Sequence, residues 1–170
     1  QEAAIQGALS NDENIKAAIK RDIYIYIAQE ANAVPFGATK DSHPKERELY
    51  KQTFLATAYG QTKHGLKAKL DITEAKAVHL LSQLKRIFPK YFRWIDELIK
   101  GAAARGYFET IFGWKYFLPD TEAPNPRRLM NWPLQSHGSE ILRKAIIDLH
   151  DSDFEISMPV HDAVLLHLEK

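Results

Sequence analysis

In the stretch RELYKQTFLATAYG, Arg47, Lys51, Leu55 and Tyr59 recur at four-residue intervals and Gly60 follows. On an α-helix each such step turns the side chain by about 40° and raises it by about 6 Å, so the four form one drifting stripe roughly 18 Å long. Such a row can touch a single elongated ligand. It equally fits a surface helix with solvated cations whose Phe54, Leu55 and Ala58 face a core. A second residue with chemistry to offer is Asp162, in PVHDAVLL near the other end of the chain. A carboxylate held at a hairpin tip can bind Mg²⁺, a hard cation that takes oxygen ligands, although a turn aspartate also serves local hydrogen bonding. Phosphoryl transfer needs both kinds of group, cations along a polyphosphate and carboxylates that carry metal ions.

The flanking residues predict the elements that would hold these groups. Asp41 and Ser42 are candidate caps for the Arg47 helix, Pro44 suits its first turn, and Gly60 suits the left-handed position that ends it. Thr73 predicts the start of an amphipathic helix with Ala77, Leu80, Leu81, Leu84, Ile87 and Phe88 on its apolar face, closed at Pro89. Tyr91, Trp94, Ile95, Leu98 and Ile99 continue the rhythm in a second helix, antiparallel to the first if the Pro89 turn is tight, that ends at Gly101 or Gly106. YFETIFGWKYFLP, broken by Gly113, predicts a β-hairpin, and DTEAPNP a loop. RRLMNW reads as a short helical turn interrupted by Pro133, and SEILRKAIIDLHD as a helix. Phe154, Ile156, Met158 and Val160 alternate before His161 and Asp162, and an apolar run follows. That is strand, tight turn, strand, with strands apolar enough to be buried.

With 170 residues, 45% hydrophobic and 26% charged, the chain has room for one domain with a sizeable core. A net charge of +1 says nothing about nucleic acid, because clustering of the 23 Lys and Arg matters more than their sum. The absence of cysteine excludes disulfides and Cys-ligated metal sites. No apolar run approaches a membrane span and the first residues lack the pattern of a signal peptide, so a cytosolic chain without membrane contact is expected. His64 and His137 have no second histidine or cysteine at ligand spacing, which argues against zinc. Tyr107, Phe108, Phe112, Trp114, Tyr116 and Phe117 could stack bases, but packing into a core is the simpler expectation.

Together the motifs resemble the polymerase domain of family A DNA polymerases, from Gln1 to Lys170. R-x3-K-x7-YG looks like that family's fingers-helix motif and VHDAVLL like its palm motif. RRLMNWPLQSHGSEILRKAI, the aromatic hairpin and QEAAIQGALSNDEN resemble further family segments in the same order. The resemblance implies an α+β fold, with mainly helical fingers (about 13–106) inserted into a palm (about 1–12 and 107–170) that carries a short antiparallel sheet. It implies templated attack of a primer 3′-hydroxyl on a dNTP. Arg47 and Lys51 would lie on the triphosphate, Tyr59, Leu55 and Tyr24 at the incoming nucleotide, and Glu2 where a ribose 2′-hydroxyl would project. Arg127, Asn131, Gln135 and His161 would contact primer–template DNA, and Asp162 would bind metal.

Three departures qualify the match. Leu55 stands where the family usually has phenylalanine or tyrosine, and Ala163 where most relatives have a second acid. In the pattern D-x-S-x-x-E, the aspartate that would share two Mg²⁺ ions with Asp162 would precede Gln1. The expectation is therefore a fingers-and-palm portion, without thumb or exonuclease, that works with an upstream palm strand and a thumb supplied elsewhere. It is expected in the cytoplasm of a bacterial or phage-infected cell. The competing expectation is a catalytically silent module that binds nucleotide or primer–template.

Overall fold

Short-range signals in the chain set most helix boundaries. The computed structural model describes residues 2–119 and 126–167, apart from the side chains of 126 and 127. Its elements are α1 (Glu2–Ser10), α2 (Glu13–Ala18), α3 (Ile23–Glu30), α4 (Pro44–Ala58), α5 (Lys63–Leu70), α6 (Glu74–Ile87) and α7 (Pro89–Arg105), then β1 (Tyr107–Glu109), β2 (Lys115–Phe117), α8 (Pro126–Asp151), β3 (Glu155–Val160) and β4 (Ala163–His167). This is a mainly helical α+β fold with two separate two-stranded antiparallel sheets.

Asp12, Asp22 and Thr73 cap α2, α3 and α6 by accepting hydrogen bonds from backbone N–H groups of the first turn. Phe88 alone separates α6 from α7. A residue before proline is driven out of the helical region, which ends α6, and Pro89 then starts α7 where its missing N–H costs nothing. The α7 helix runs past Gly101 and stops at Gly106, whose φ of +79° is the left-handed cap conformation. At α4 the cap differs from expectation. His43 holds the N-cap position without its side chain capping the helix, and the Ser42 hydroxyl lies 2.8 Å from the His43 Nδ1 and bonds within the preceding turn, accepting from the Thr39 N–H at 2.9 Å. Pro44 and Gly60 fall where the sequence puts them, Gly60 with φ +71°.

The main core lies among α2 to α7. Phe88 is fully buried, stacks on Tyr26 (6.4 Å between centroids) and meets Phe54 edge-on (5.9 Å), and Phe54 in turn meets Tyr24 (6.3 Å). Gln83 is bonded at both ends of its amide, accepting from the Tyr50 hydroxyl (3.1 Å) and donating to the Ala31 carbonyl (3.2 Å), so α6 is fixed to α4 and the end of α3. A smaller cluster of Ile5, Ala58 and Leu134 brings α1, the end of α4 and α8 together. The third, around Phe108, Ala102 and Leu129, seats the first hairpin on α7 and α8.

The structure departs from the sequence-based expectation at α8 and at the aromatic hairpin. The residues from Pro126 to Asp151 form one 26-residue helix that continues through Pro133. Proline removes one ladder bond and crowds the preceding turn. The surrounding packing holds the helix nonetheless: Trp132 lies against Phe108, Trp114 and Tyr116, Leu134 is 2% exposed, and His137 bonds back to the Pro133 carbonyl at 2.5 Å. The aromatic hairpin is only partly internal. Phe108 is buried, whereas Phe112, Trp114 and Phe117 are exposed, because β1 and β2 have one covered face and one open face.

Asp12 ties the N-terminal helices to the core. It is 1% exposed, accepts from the N–H groups of Asn14 (2.9 Å) and Ile15 (3.3 Å) with one oxygen, and from the N–H of Tyr91 (3.0 Å) with the other. Asp12→Ala removes a helix cap and leaves a buried N–H without a partner, at a combined cost of about 2–4 kcal/mol. The expected outcome is a fall in melting temperature of roughly 5–15 °C by calorimetry; an unchanged melting temperature would remove Asp12 from this role.

Candidate functional site

The α4 row divides between two neighbouring elements. At its N-terminal end the Arg47 Nε donates to Asp22 Oδ2 at 2.6 Å, and the guanidinium lies 5.2 Å from the centroid of the Tyr24 ring. One turn on, Lys51 makes a longer, exposed contact with Glu48 (3.5 Å). Surface pairs of this kind contribute about 0–1 kcal/mol, so the ammonium is readily transferred to a stronger anion. Leu55 is half-buried against the main core. Tyr59, the C-cap residue, donates its hydroxyl hydrogen to Glu2 Oε1 at 3.1 Å across 57 residues of sequence. The opposite side of α4 carries buried Tyr50, Thr53, Phe54 and Thr57; both threonine hydroxyls are satisfied inside the helix, by the Leu49 carbonyl (2.8 Å) and the Thr53 carbonyl (2.7 Å). Packing therefore fixes which face of α4 is presented outward.

Glu2 and Tyr59 open onto a cleft of about 510 Å³ that is also lined by Gln135 and Ser139 of α8 and by His161 and Asp162 between β3 and β4. The two-residue connection of a hairpin needs a positive φ at its first position, and His161 supplies it with φ +55°. Asp162 follows and is exposed at the cleft. The strands that carry it are more open than their alternation predicts: Met158, Val160 and Leu165 are all exposed, and Pro159 sits within β3 beside a register irregularity. Alternation identifies an apolar face and leaves open what covers it.

The two parts of the site are electrically connected through Glu2. Burial pushes the Tyr24 phenol above its ordinary pKa, the Glu2 charge pushes it further, and Arg47 opposes both. The Tyr59 phenol is raised as well, first by burial and then by its bond to Glu2, while the Gln135 side chain works the other way. At Asp22, burial favours the neutral acid, but the Arg47 guanidinium and the N–H groups of Ile25 and Tyr24 outweigh it and hold the carboxyl below the usual range.

Glu2, Tyr59, Gln135, His161 and Asp162 thus meet at one cleft, and Arg47, Lys51, Leu55 and Tyr24 lie along α4 and the start of α3. Asn131 is half-buried on α8, and its side-chain oxygen has no hydrogen-bond partner among the described residues. The side chain of Arg127 lies outside the described residues. His137 is a structural residue: Nε2 accepts from the Ile111 N–H at 3.1 Å and Nδ1 faces the Pro133 carbonyl, so both ring nitrogens are occupied. Sequence reading overlooked Asp22, although its place before the Ile23–Tyr24 pair marks it as a cap, and Ser139, for which the sequence carried no signal.

Asp162 offers carboxylate oxygens and Gln135 an amide oxygen, donors that suit Mg²⁺. Among the described residues no three His, Cys, Asp or Glu side chains come together as a metal site. The donor set therefore fits Mg²⁺ in type and is partial in number.

The whole chain, residues 1–170, matches DNA polymerase family A, and it belongs to that family. It is 26% identical to DNA polymerase I of Bacillus caldotenax over 183 residues, covering 99% of this chain and 21% of that protein. Against the thermostable DNA polymerase I of Thermus aquaticus it is 28% identical over 182 residues, covering 99% and 22%. The chain spans about a fifth of the length of these relatives. Its fold also matches a solved structure, the POL domain of Pol1 from M. smegmatis in complex with DNA primer-template and dNTP, with a TM-score of 0.85, 25% identity, and coverage of 99% of this chain and 32% of that one. No described helix is long and apolar enough to cross a membrane.

The Asp22–Arg47 pair has a defined acid response. Because the folded pKa of Asp22 is depressed, its contribution to stability is present above the unfolded value of about 3.9 and is lost as pH falls through the folded value. The Arg47 Nε–H cross-peak in a ¹⁵N spectrum is expected to persist at pH 4 and to shift only below it. A shift completed above pH 4 would contradict the pairing.

Proposed function

We propose that this chain is the fingers-and-palm portion of a template-directed DNA polymerase that adds a deoxynucleotide from a dNTP to a primer 3′-hydroxyl, with residues 13–106 as fingers and 1–12 with 107–170 as palm. The observation that carries this reading is the cleft itself, where Glu2, Tyr59, Gln135, His161 and Asp162 converge from four parts of the fold that are far apart in sequence. Family membership and the fold match support it.

In this reading Arg47 and Lys51 neutralise and orient the triphosphate along α4. Leu55 and Tyr24 flank the nucleotide. Tyr59 packs at the nascent base pair, and its bond to Glu2 holds the Glu2 carboxylate where a ribose 2′-hydroxyl would collide with it. Arg127, Asn131, Gln135 and His161 hold the primer–template. Asp162 would hold Mg²⁺, which when bound supplies charge neutralisation and Lewis-acid polarisation at the transferred phosphoryl group. The second aspartate and the thumb come from segments outside residues 1–170, in the same protein or in another chain.

One observation favours a second reading, a silent nucleotide- or primer–template-binding module: among the described residues Asp162 belongs to no three-ligand acidic cluster. Primer extension separates the two. The chain mixed with a polypeptide that carries the D-x-S-x strand and the thumb is expected to extend a primer with Mg²⁺, and Asp162→Asn to abolish that extension. Binding of primer–template and dNTP without extension by the mixture would favour the silent module. In the active mixture, Lys51→Ala should weaken dNTP use about ten- to a hundredfold, the worth of one charge-assisted contact, while primer–template affinity holds. Equal loss of both affinities would take Lys51 off the triphosphate.

A further inference from the structure

The α4 cation nearest α3 is held from two directions. Asp22 is itself immobile: Oδ1 accepts from the N–H groups of Tyr24 (3.0 Å) and Ile25 (3.2 Å) at the start of α3, which leaves Oδ2 to take the Arg47 Nε–H at 2.6 Å. Beside it the Tyr24 ring lies against the guanidinium. Arginine carries five N–H donors in a rigid fork. The Nε edge is engaged on Asp22 and one flat side on Tyr24. Among the described residues the four Nη–H donors meet no acceptor. Both groups are about a quarter exposed (28% for Arg47, 25% for Asp22), so the fork is held at the surface and open to a ligand.

We propose that Asp22 is a positioning residue that, through Arg47 and with Tyr24 as a backing plate, presents the Arg47 Nη fork to the triphosphate of an incoming nucleotide; this rests on the nucleotide-site reading above. A free arginine on a helix surface samples many rotamers and must be ordered when it binds. Asp22 meets that ordering cost during folding. Its negative charge opposes a triphosphate at long range, but that opposition is screened by salt and the orienting effect is local. At 0.3 M KCl, where the Debye length is about 5–6 Å, the orienting effect dominates.

The test titrates dATP into the ¹⁵N-labelled chain at 0.3 M KCl and follows the Arg47 Nε–H cross-peak and the shifts along α4. Asp22→Asn keeps the α3 cap, because asparagine caps as well as aspartate, and removes the acceptor that orients Arg47. It is expected to lower the melting temperature only slightly, by the loss of one partly exposed ion pair, and to weaken dATP about three- to tenfold, the range set by re-ordering one long side chain. Asp22→Ala should weaken dATP similarly and lower the melting temperature further, because the α3 cap is lost too. Arg47→Ala should weaken dATP, and adding Asp22→Asn to it should cause no further loss. The proposal is overturned if Asp22→Asn binds dATP as well as the unaltered chain while Arg47→Ala does not, or if Asp22→Asn costs the same with and without Arg47. Should Arg47→Ala itself bind dATP normally, the nucleotide-site reading fails along with the proposal.

Discussion

A single buried carboxylate holds the N-terminal helices in the place the candidate site requires. Asp12 turns both oxygens inward to backbone N–H groups from the start of α2 and the start of α7, and it is almost wholly shielded from water. A buried charge is tolerated only when its acceptor capacity is met, and here three N–H donors meet it. The corner between α1 and α2 is thereby fixed on α7, and Asn14 adds a 2.7 Å bond from its side-chain amide to the Ile87 carbonyl at the end of α6. With the corner fixed, α1 runs back over α7 and α8 and delivers Glu2 to Tyr59. The cleft depends on this anchorage, because one of its walls is α1.

The other wall is a matter of helix rotation. Burying Phe54, Thr53 and Thr57 turns the Arg47–Tyr59 row outward, and the aromatic sequence Tyr26, Phe88, Phe54, Tyr24 passes that constraint from α6 and α7 to the start of α3. One row of α4 therefore meets different partners at its two ends: a capping aspartate at Arg47, a second helix at Tyr59. Glu2 acts electrostatically on both Tyr24 and Tyr59, which makes these ends parts of one charged neighbourhood.

What could be read in the sequence was what local physics dictates. Helical periodicity identified the α4 row, Thr73 and Pro89 bounded α6, and alternation around His161–Asp162 gave the second hairpin. Each of these signals acts within a few residues. The misreadings came where distant packing decides. Pro133 ends helices in isolation, but in α8 it is held between the Trp132 aromatic cluster and Leu134, so the helix continues. The strands β3 and β4 have an apolar pattern and an open face, because a period of two says which side chains share a side and nothing about their cover. Asp22 and Arg47 stand 25 residues apart, and only the packing of α3 on α4 joins them. The family resemblance supplied the proposed roles of Glu2 and Gln135, which no local pattern in those segments carries, whereas Asp162 was already marked by the strand–turn–strand pattern around it.

In the proposed function the cleft at Asp162 and the cations of α4 form one nucleotide site. Paramagnetic broadening by Mn²⁺–dATP tests it most directly, because the effect falls steeply with distance and reports position without requiring turnover. The account predicts that amide resonances broaden first at residues 161–162 and at the start of α1, and then along the outward row of α4 from Tyr59 toward Arg47, with residues of the α6 core untouched. Broadening centred away from both the 161–162 turn and α4, or spread evenly over the surface, would contradict it.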